Sequence, residues 1–353
     1  MGLPLLSLDA IADYETGCQV LGSGGGGAPV PITIALAELL RSRSLPLLDT
    51  LADDAQISAV GAVGGPSVFA ERLPSGNEYQ VAEDLLVRIG MPAPTAIVSF
   101  ETAGMNGAYA AWVAALEGLP LVDGDLMGRA LPKLEQASLA VSTPISPAVL
   151  VSPTGDALLV ESDSAESVER VVRAALPGFG GWGLFVTRPF RADELRGQIV
   201  TGTISRAVVL GRAVRRLPQL ARGEEIARAV DGKLLGSGSV AEVLRHPRDG
   251  AFGSGSLYLI DTRSGSVVRV EYQNEYLLAA VDGRVVVTCP DLLVIVDPRL
   301  HRLISAEDVR PGMDVAVVAA EGPAWWKASA ERLARVSPRA FGLAQDPIPW
   351  EAT

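Results

Sequence analysis

The chain is poor in the residues behind the commonest metal and nucleophile chemistries. Its 353 residues include two cysteines, Cys18 and Cys289, and two histidines, His246 and His301. Two thiols make no disulfide framework, and two histidines leave a histidine zinc cage or a histidine-based triad poorly supplied. Basic charge is scarce too: 30 Lys and Arg stand against 41 Asp and Glu, for a formal net charge of −11. The arginines gather only at Arg206, Arg212, Arg215, Arg216 and Arg222, which read as the solvated face of a helix. Nucleic-acid binding needs a denser basic footprint, so no such partner is expected. No apolar run reaches the ~20 residues of a membrane helix. Residues 1–8 lack the basic start and cleavage site of a secretory signal. A soluble, cytoplasmic protein with no membrane association is the expectation. Disorder is excluded by a hydrophobic share of 48% against 20% charged, ordinary to slightly apolar for a globular chain.

What the chain does have in quantity is glycine, concentrated in Gly17-Cys18-Gln19-Val20-Leu21-Gly22-Ser23-Gly24-Gly25-Gly26-Gly27-Ala28-Pro29. The backbone here can take positive φ and approach another group closely. Helical spacing follows from Pro31 through Ile34, Leu36, Leu39 and Leu40. A thiol on one side of such a loop and a helix N-terminus on the other suits a nucleophile beside anion-stabilising N–H groups, with Gly24, Gly25 and Gly26 contacting substrate. A flexible linker is the bland alternative. A helix C-terminus would raise the Cys18 pKa and a helix N-terminus would lower it; the pattern leaves open which end it faces. No lysine follows the glycines as a phosphate loop requires, and the preceding pattern is helical where a dinucleotide fingerprint needs a strand.

Further along, strands and helices alternate. Residues 56–63 and 95–100 read as strands, 76–90 and 107–118 as helices, and 119–122 as another short strand. This predicts a three-layer α/β domain over residues 1–176. The Pro177-Gly178-Phe179-Gly180-Gly181-Trp182-Gly183 break reads as a hinge, with residues 192–220 mostly helical beyond it. Glycines 197, 202 and 211 are dense for a helix interior, where each costs ~1 kcal/mol against alanine unless close packing offsets it. From 233 to 320, β-rich runs about ten residues apart predict a smaller antiparallel barrel or sandwich within 177–353, followed by a C-terminal helix.

Two polar loops fall at strand ends, where open α/β sheets bind ligands. Glu101-Thr102-Ala103-Gly104-Met105-Asn106 offers Glu101 as base or orienter, with Asn106 as an amide donor or a plain helix cap. Asp123-Gly124-Asp125-Leu126-Met127-Gly128-Arg129 offers two carboxylates for acid–base work or metal binding. Its Arg129 supplies a fork for a substrate carboxylate. In the β-rich half, Gln273-Asn274-Glu275 and Pro290-Asp291-Leu292 are polar tips suited to closing over a cleft. Cys289 reads as a small buried hydrophobe.

The order of these motifs, with Pro132 after Arg129-Ala130, resembles the S-methyl thiohydantoin desulfurase-like family over nearly the whole chain. Leu131-Pro132-Lys133-Leu134 departs from the aromatic-Pro-Glu run expected there. The resemblance implies a hydrolase acting on a small cyclic imide or amidine-like substrate, with Cys18 attacking and Glu101 or Asp125 moving protons. Asp123, Asn106 and Arg129 would hold the ring. A competing mechanism places a divalent metal such as zinc among Cys18, Asp123, Asp125 and a histidine. The resemblance also implies a hydantoinase- or oxoprolinase-type protein partner, and a homo-oligomer is a further expectation. A non-catalytic small-molecule-binding or scaffold subunit of such a complex is the alternative.

Overall fold

The computed structural model describes residues 3–218, 220–246 and 253–348. A mixed sheet is built from β1 (Leu5–Leu6), β2 (Leu45–Leu48), β3 (Gln56–Gly64), β4 (Ala96–Ser99), β5 (Leu121–Asp125), β6 (Ala148–Val151), β7 (Ala157–Val160) and β8 (Trp182–Thr187), in the order β1-β2-β5-β4-β3-β8-β6-β7. Strands β2, β5, β4 and β3 run parallel, and β8, β6 and β7 add antiparallel ribbons beside β3. Short β9 (Phe190–Arg191) pairs with β3, and β10 (Val200–Thr201) pairs with β5.

Alternate residues of the central strands point to opposite faces, as strand geometry requires. Val60, Ile97 and Val186 pack under α1 (Ile11–Gly22), α2 (Val30–Leu40), α4 (Glu78–Arg88) and α5 (Gly104–Glu117); short α3 (Pro66–Glu71) contributes Phe69 to the same core. Ala59, Val98 and Phe185 pack under α6 (Ala165–Ala175) and α7 (Ala192–Leu195). The three layers expected from the alternation are therefore present.

The second body is one antiparallel sheet. It is made of β11 (Gly232–His246), β12 (Ser254–Asp261), β13 (Val267–Gln273), β14 (Glu275–Val281), β15 (Arg284–Thr288), β16 (Leu292–Asp297), β17 (Arg302–Leu303) and β18 (Asp314–Ala320). Their order is β15-β14-β13-β12-β11-β18-β16-β17. It encloses its own core around Leu257, Val270, Ile295 and Val317.

The expected division at 176/177 does not separate the sheets. Trp182 begins β8 in the first sheet, so the 177–183 glycine run is a turn between α6 and β8, not a hinge between bodies. Residues 192–220 are also less helical than expected. They hold α7, β10 and then α8 (Thr203–Arg215), because Gly197 and Gly202 take positive φ outside the helices. Gly211 does lie inside α8, and close packing explains it: a Cβ there would fall 1.7 Å from the Asp13 carbonyl oxygen of α1. Helix α9 (Gly223–Ala229) leads into β11. Beyond β18, α10 (Ala324–Lys327) and α11 (Ala330–Val336) return to the first body, where Trp326 and Val336 join the core beneath α6 and α7. Among the described residues no helix is long and apolar enough to cross a membrane.

Candidate active site

The glycine segment fastens the two bodies together. Helix α1 ends as Ser23 takes a left-handed conformation. The Ser23 carbonyl then accepts from the Tyr276 N–H at 2.7 Å, and the Gly24 carbonyl accepts from the Ala306 N–H at 2.9 Å. Ser23 Oγ exchanges hydrogen bonds with both backbone groups of Leu293. The loop needs glycine because the second body presses on it: a Cβ on Gly25 would meet Glu275 Oε1 at 2.5 Å. Far from a loose linker, this is a tightly bound crossing point.

On one side of the ribbon opens a cleft of about 680 Å³, mouth included. Its wall is the end of β3 from Gly61 to Gly64, with Phe69 and Trp182 behind; Gly26, Glu101, Asn106, Asn274 and Glu275 also line it. Leu131, Pro132, Lys133 and Leu134 form another wall. A second, larger cavity is lined by Gly24, Gly25 and Gly27. Of the three glycines expected to touch substrate, only Gly26 lines the first cleft.

Glu101 follows β4 and is buried. Its Oε1 accepts from Asn106 Nδ2 at 2.8 Å and its Oε2 from the Leu131 N–H at 3.0 Å. Asn106 is itself fixed, because its Oδ1 accepts from the Ala62 N–H at 2.7 Å. Burial pushes the Glu101 pKa up to about 8, against the pull of those hydrogen bonds and with a further push from nearby Glu275. Glu275, at the start of β14, is likewise buried. Its Oε1 accepts from Asn274 Nδ2 at 2.5 Å, while its buried Oε2 has no hydrogen-bond partner. Burial raises its pKa to about 7, partly countered by the Arg129 guanidinium. Two carboxyls, one from each body, thus face a single cleft with titrations near neutrality.

The other expected site residues are engaged elsewhere. Asp125 is fully buried; Oδ2 accepts from the Thr102 N–H at 2.6 Å, and Oδ1 from the Met127 and Gly128 N–H groups at 3.0 and 2.5 Å. Burial raises its pKa, and the N–H groups oppose the rise. Asp123 caps the start of α8, accepting from the Ile204 and Ser205 N–H groups. Arg129 does not reach into the cleft: it donates to the carbonyls of Ala130, Asp291 and Tyr276, joining the bodies from behind Glu275. Cys18 lies in the C-terminal half of α1 with no exposed surface and does not line the cleft. Burial drives its thiol pKa far above the usual range. Cys18 lies near enough to Asp125 for that carboxylate to push its pKa up further, but the two do not meet in the cleft, because the periodicity of α1 turns the sulfur into the core. The zinc arrangement fits no better. The Asp123 and Asp125 oxygens are taken by backbone N–H groups and the Ser205 hydroxyl, and among the described residues no cluster of three His, Cys, Asp or Glu is placed to hold a metal.

Sequence reasoning treated Glu275 as a loop tip and missed the β3 wall. A glutamate opening a strand otherwise as apolar as Tyr276–Val281 was the available signal. Two family models match the chain: S-Me-THD-like, N-terminal domain, over residues 9–162, and S-Me-THD-like, C-terminal domain, over residues 162–350. Among solved structures the chain is similar to a protein from Chromobacterium violaceum, with 24% identity, a TM-score of 0.75, and coverage of 98% of this chain and 100% of that one. That likeness shows the fold. No curated protein matches.

Proposed function

Because the chain belongs to the S-Me-THD-like family, whose two domain models span it from residue 9 to residue 350, we propose that it is a hydrolase-type enzyme acting on a small cyclic imide or amidine-like substrate, such as an S-methyl thiohydantoin. The observation that carries this reading is Glu101, a buried carboxyl held by Asn106 and the Leu131 N–H where it lines a cleft. With its pKa raised to about 8, Glu101 holds a proton at neutral pH and can deliver it to a ring nitrogen as water attacks. Phe69, Phe100 and Trp182 give the cleft apolar surface for the flat ring. Cys18 is left out of the chemistry, since an enclosed, protonated thiol is a poor nucleophile. On this reading a hydantoinase-type partner would consume the ring product.

Methanethiol release from S-methyl thiohydantoins, measured beside hydantoins and lactams lacking the thioether, tests the proposal. Wild-type turnover is expected on the thioethers, falling about 10²–10⁴-fold in Glu101→Gln. A folded wild type with no turnover on the whole panel would favour the scaffold alternative instead.

A further inference from the structure

We propose that Glu275 is the second catalytic carboxyl of the cleft, so that the reacting pair is divided between the two bodies of the chain. This rests on the hydrolytic reading above and deepens it. Three observations converge. Glu275 and Glu101 line the same cleft. Glu275 Oε2 is a buried carboxylate oxygen without a hydrogen-bond partner, whereas both Glu101 oxygens are held by donors. An unpaired buried acceptor is costly, and a proton or an incoming donor would offset that cost. The Asn274 amide holds Oε1, and Asn274 has a positive φ that turns the chain immediately before the carboxyl.

The charged and titratable groups around Glu275 divide the roles. Arg129 and Arg173 favour its ionised form. Glu101 and Cys289 are its other titratable neighbours, and Lys133 shares the cleft wall. Both pKa values are raised by burial, and the two arginines oppose the rise at Glu275, so the proton the pair shares is assigned to Glu101. Glu275 takes a proton from water as the water oxygen bonds the ring carbon carrying the thioether, and Glu101 gives its proton to the ring nitrogen. On collapse the carbon–sulfur bond breaks and its electron pair stays on sulfur, which takes the proton from Glu275. The new hydroxyl returns its proton to Glu101 as the carbonyl forms. Atoms and charge balance, and both carboxyls regain their starting states.

The test combines carboxyl ¹³C NMR of glutamate-labelled, substrate-free protein with pH–rate profiles of wild type, Glu275→Gln, Glu275→Asp and Glu101→Gln. Wild type is expected to show two mutually dependent titrations near neutrality and a bell-shaped kcat/KM profile. Glu275→Gln is expected to lower the Glu101 titration midpoint, because a like charge is removed, to lose the acidic limb, and to fall about 10²–10⁴-fold in kcat/KM. Glu275→Asp should keep the acidic limb at reduced kcat, which a merely structural role would not predict. An active wild type with Glu275→Gln at wild-type rate and an unchanged limb overturns the role of Glu275 alone. The same holds for a Glu275 that titrates in the ordinary carboxylate range. A wild type inactive on every ring, even with coupled titrations, overturns the hydrolytic reading and this inference with it.

Discussion

Two acidic regions of this molecule are equally buried and differently used. In the loop after β5, Asp123 and Asp125 accept from backbone N–H groups on the chain around them. Across the cleft, Glu101 and Glu275 are held chiefly by amide side chains, and Glu275 keeps one oxygen unpaired. The first pair has its oxygens satisfied by donors; of the second, Glu275 keeps a buried oxygen that no donor meets. Burial and acidity alone do not mark a site. What separates the regions is which hydrogen-bonding capacity folding leaves over.

The largest effect that would break this contrast is structural. Asp125→Ala leaves three buried N–H groups without acceptors and is expected to cost about 3–4 kcal/mol by chemical denaturation. Asp123→Ala, losing a helix cap, should cost about 1–2 kcal/mol. If either variant instead kept full stability while losing turnover, the division into structural and reactive acids would be wrong.

A pH experiment sharpens the comparison from the other side. Glu101 and Glu275 have folded-state pKa values raised above those of the unfolded chain. The folded state therefore binds more protons, and the stability they contribute is complete below the ordinary carboxylate range and is lost progressively as pH rises from about 4.5 until it passes about 7 to 8. Melting temperature should fall between about pH 5 and about pH 8 and level off above that, and the fall should flatten in the double variant Glu101→Gln/Glu275→Gln, which would melt above wild type at the alkaline end. A wild type whose stability rises across that interval would contradict the assignment.

The smallest expected effect concerns Cys18. Cys18→Ala removes one buried sulfur and should cost about 1 kcal/mol, with turnover changed less than about twofold. Loss of turnover in a stably folded variant would return the thiol to the mechanism.

Much of the architecture was legible because it is written in short-range patterns. Alternating strand and helix periods gave the three layers, and evenly spaced β-rich runs gave the second sheet. The polar loop at 101–106, which lines the cleft, was legible as a strand-to-helix loop for the same reason. Less legible were the elements whose state depends on distant partners. Gly211 is tolerated in α8 only because α1 lies against it. The 177–183 turn reads as a hinge until β8 is seen pairing with β3. Cys18 and Arg129 look reactive in one dimension, and both are enclosed by elements far away in sequence.

The sequence by itself determined the family, the class of fold, and the places where polar groups interrupt apolar strands, all of which depend on residue type and local spacing. Only the tertiary structure decided which acids face the cleft. A carboxyl's role depends on what its oxygens meet, and here those partners come from other strands, another helix and the second body. Glu275 enters the cleft because the Ser23 and Gly24 carbonyls anchor the β-rich body against the first one, a contact that no local pattern encodes.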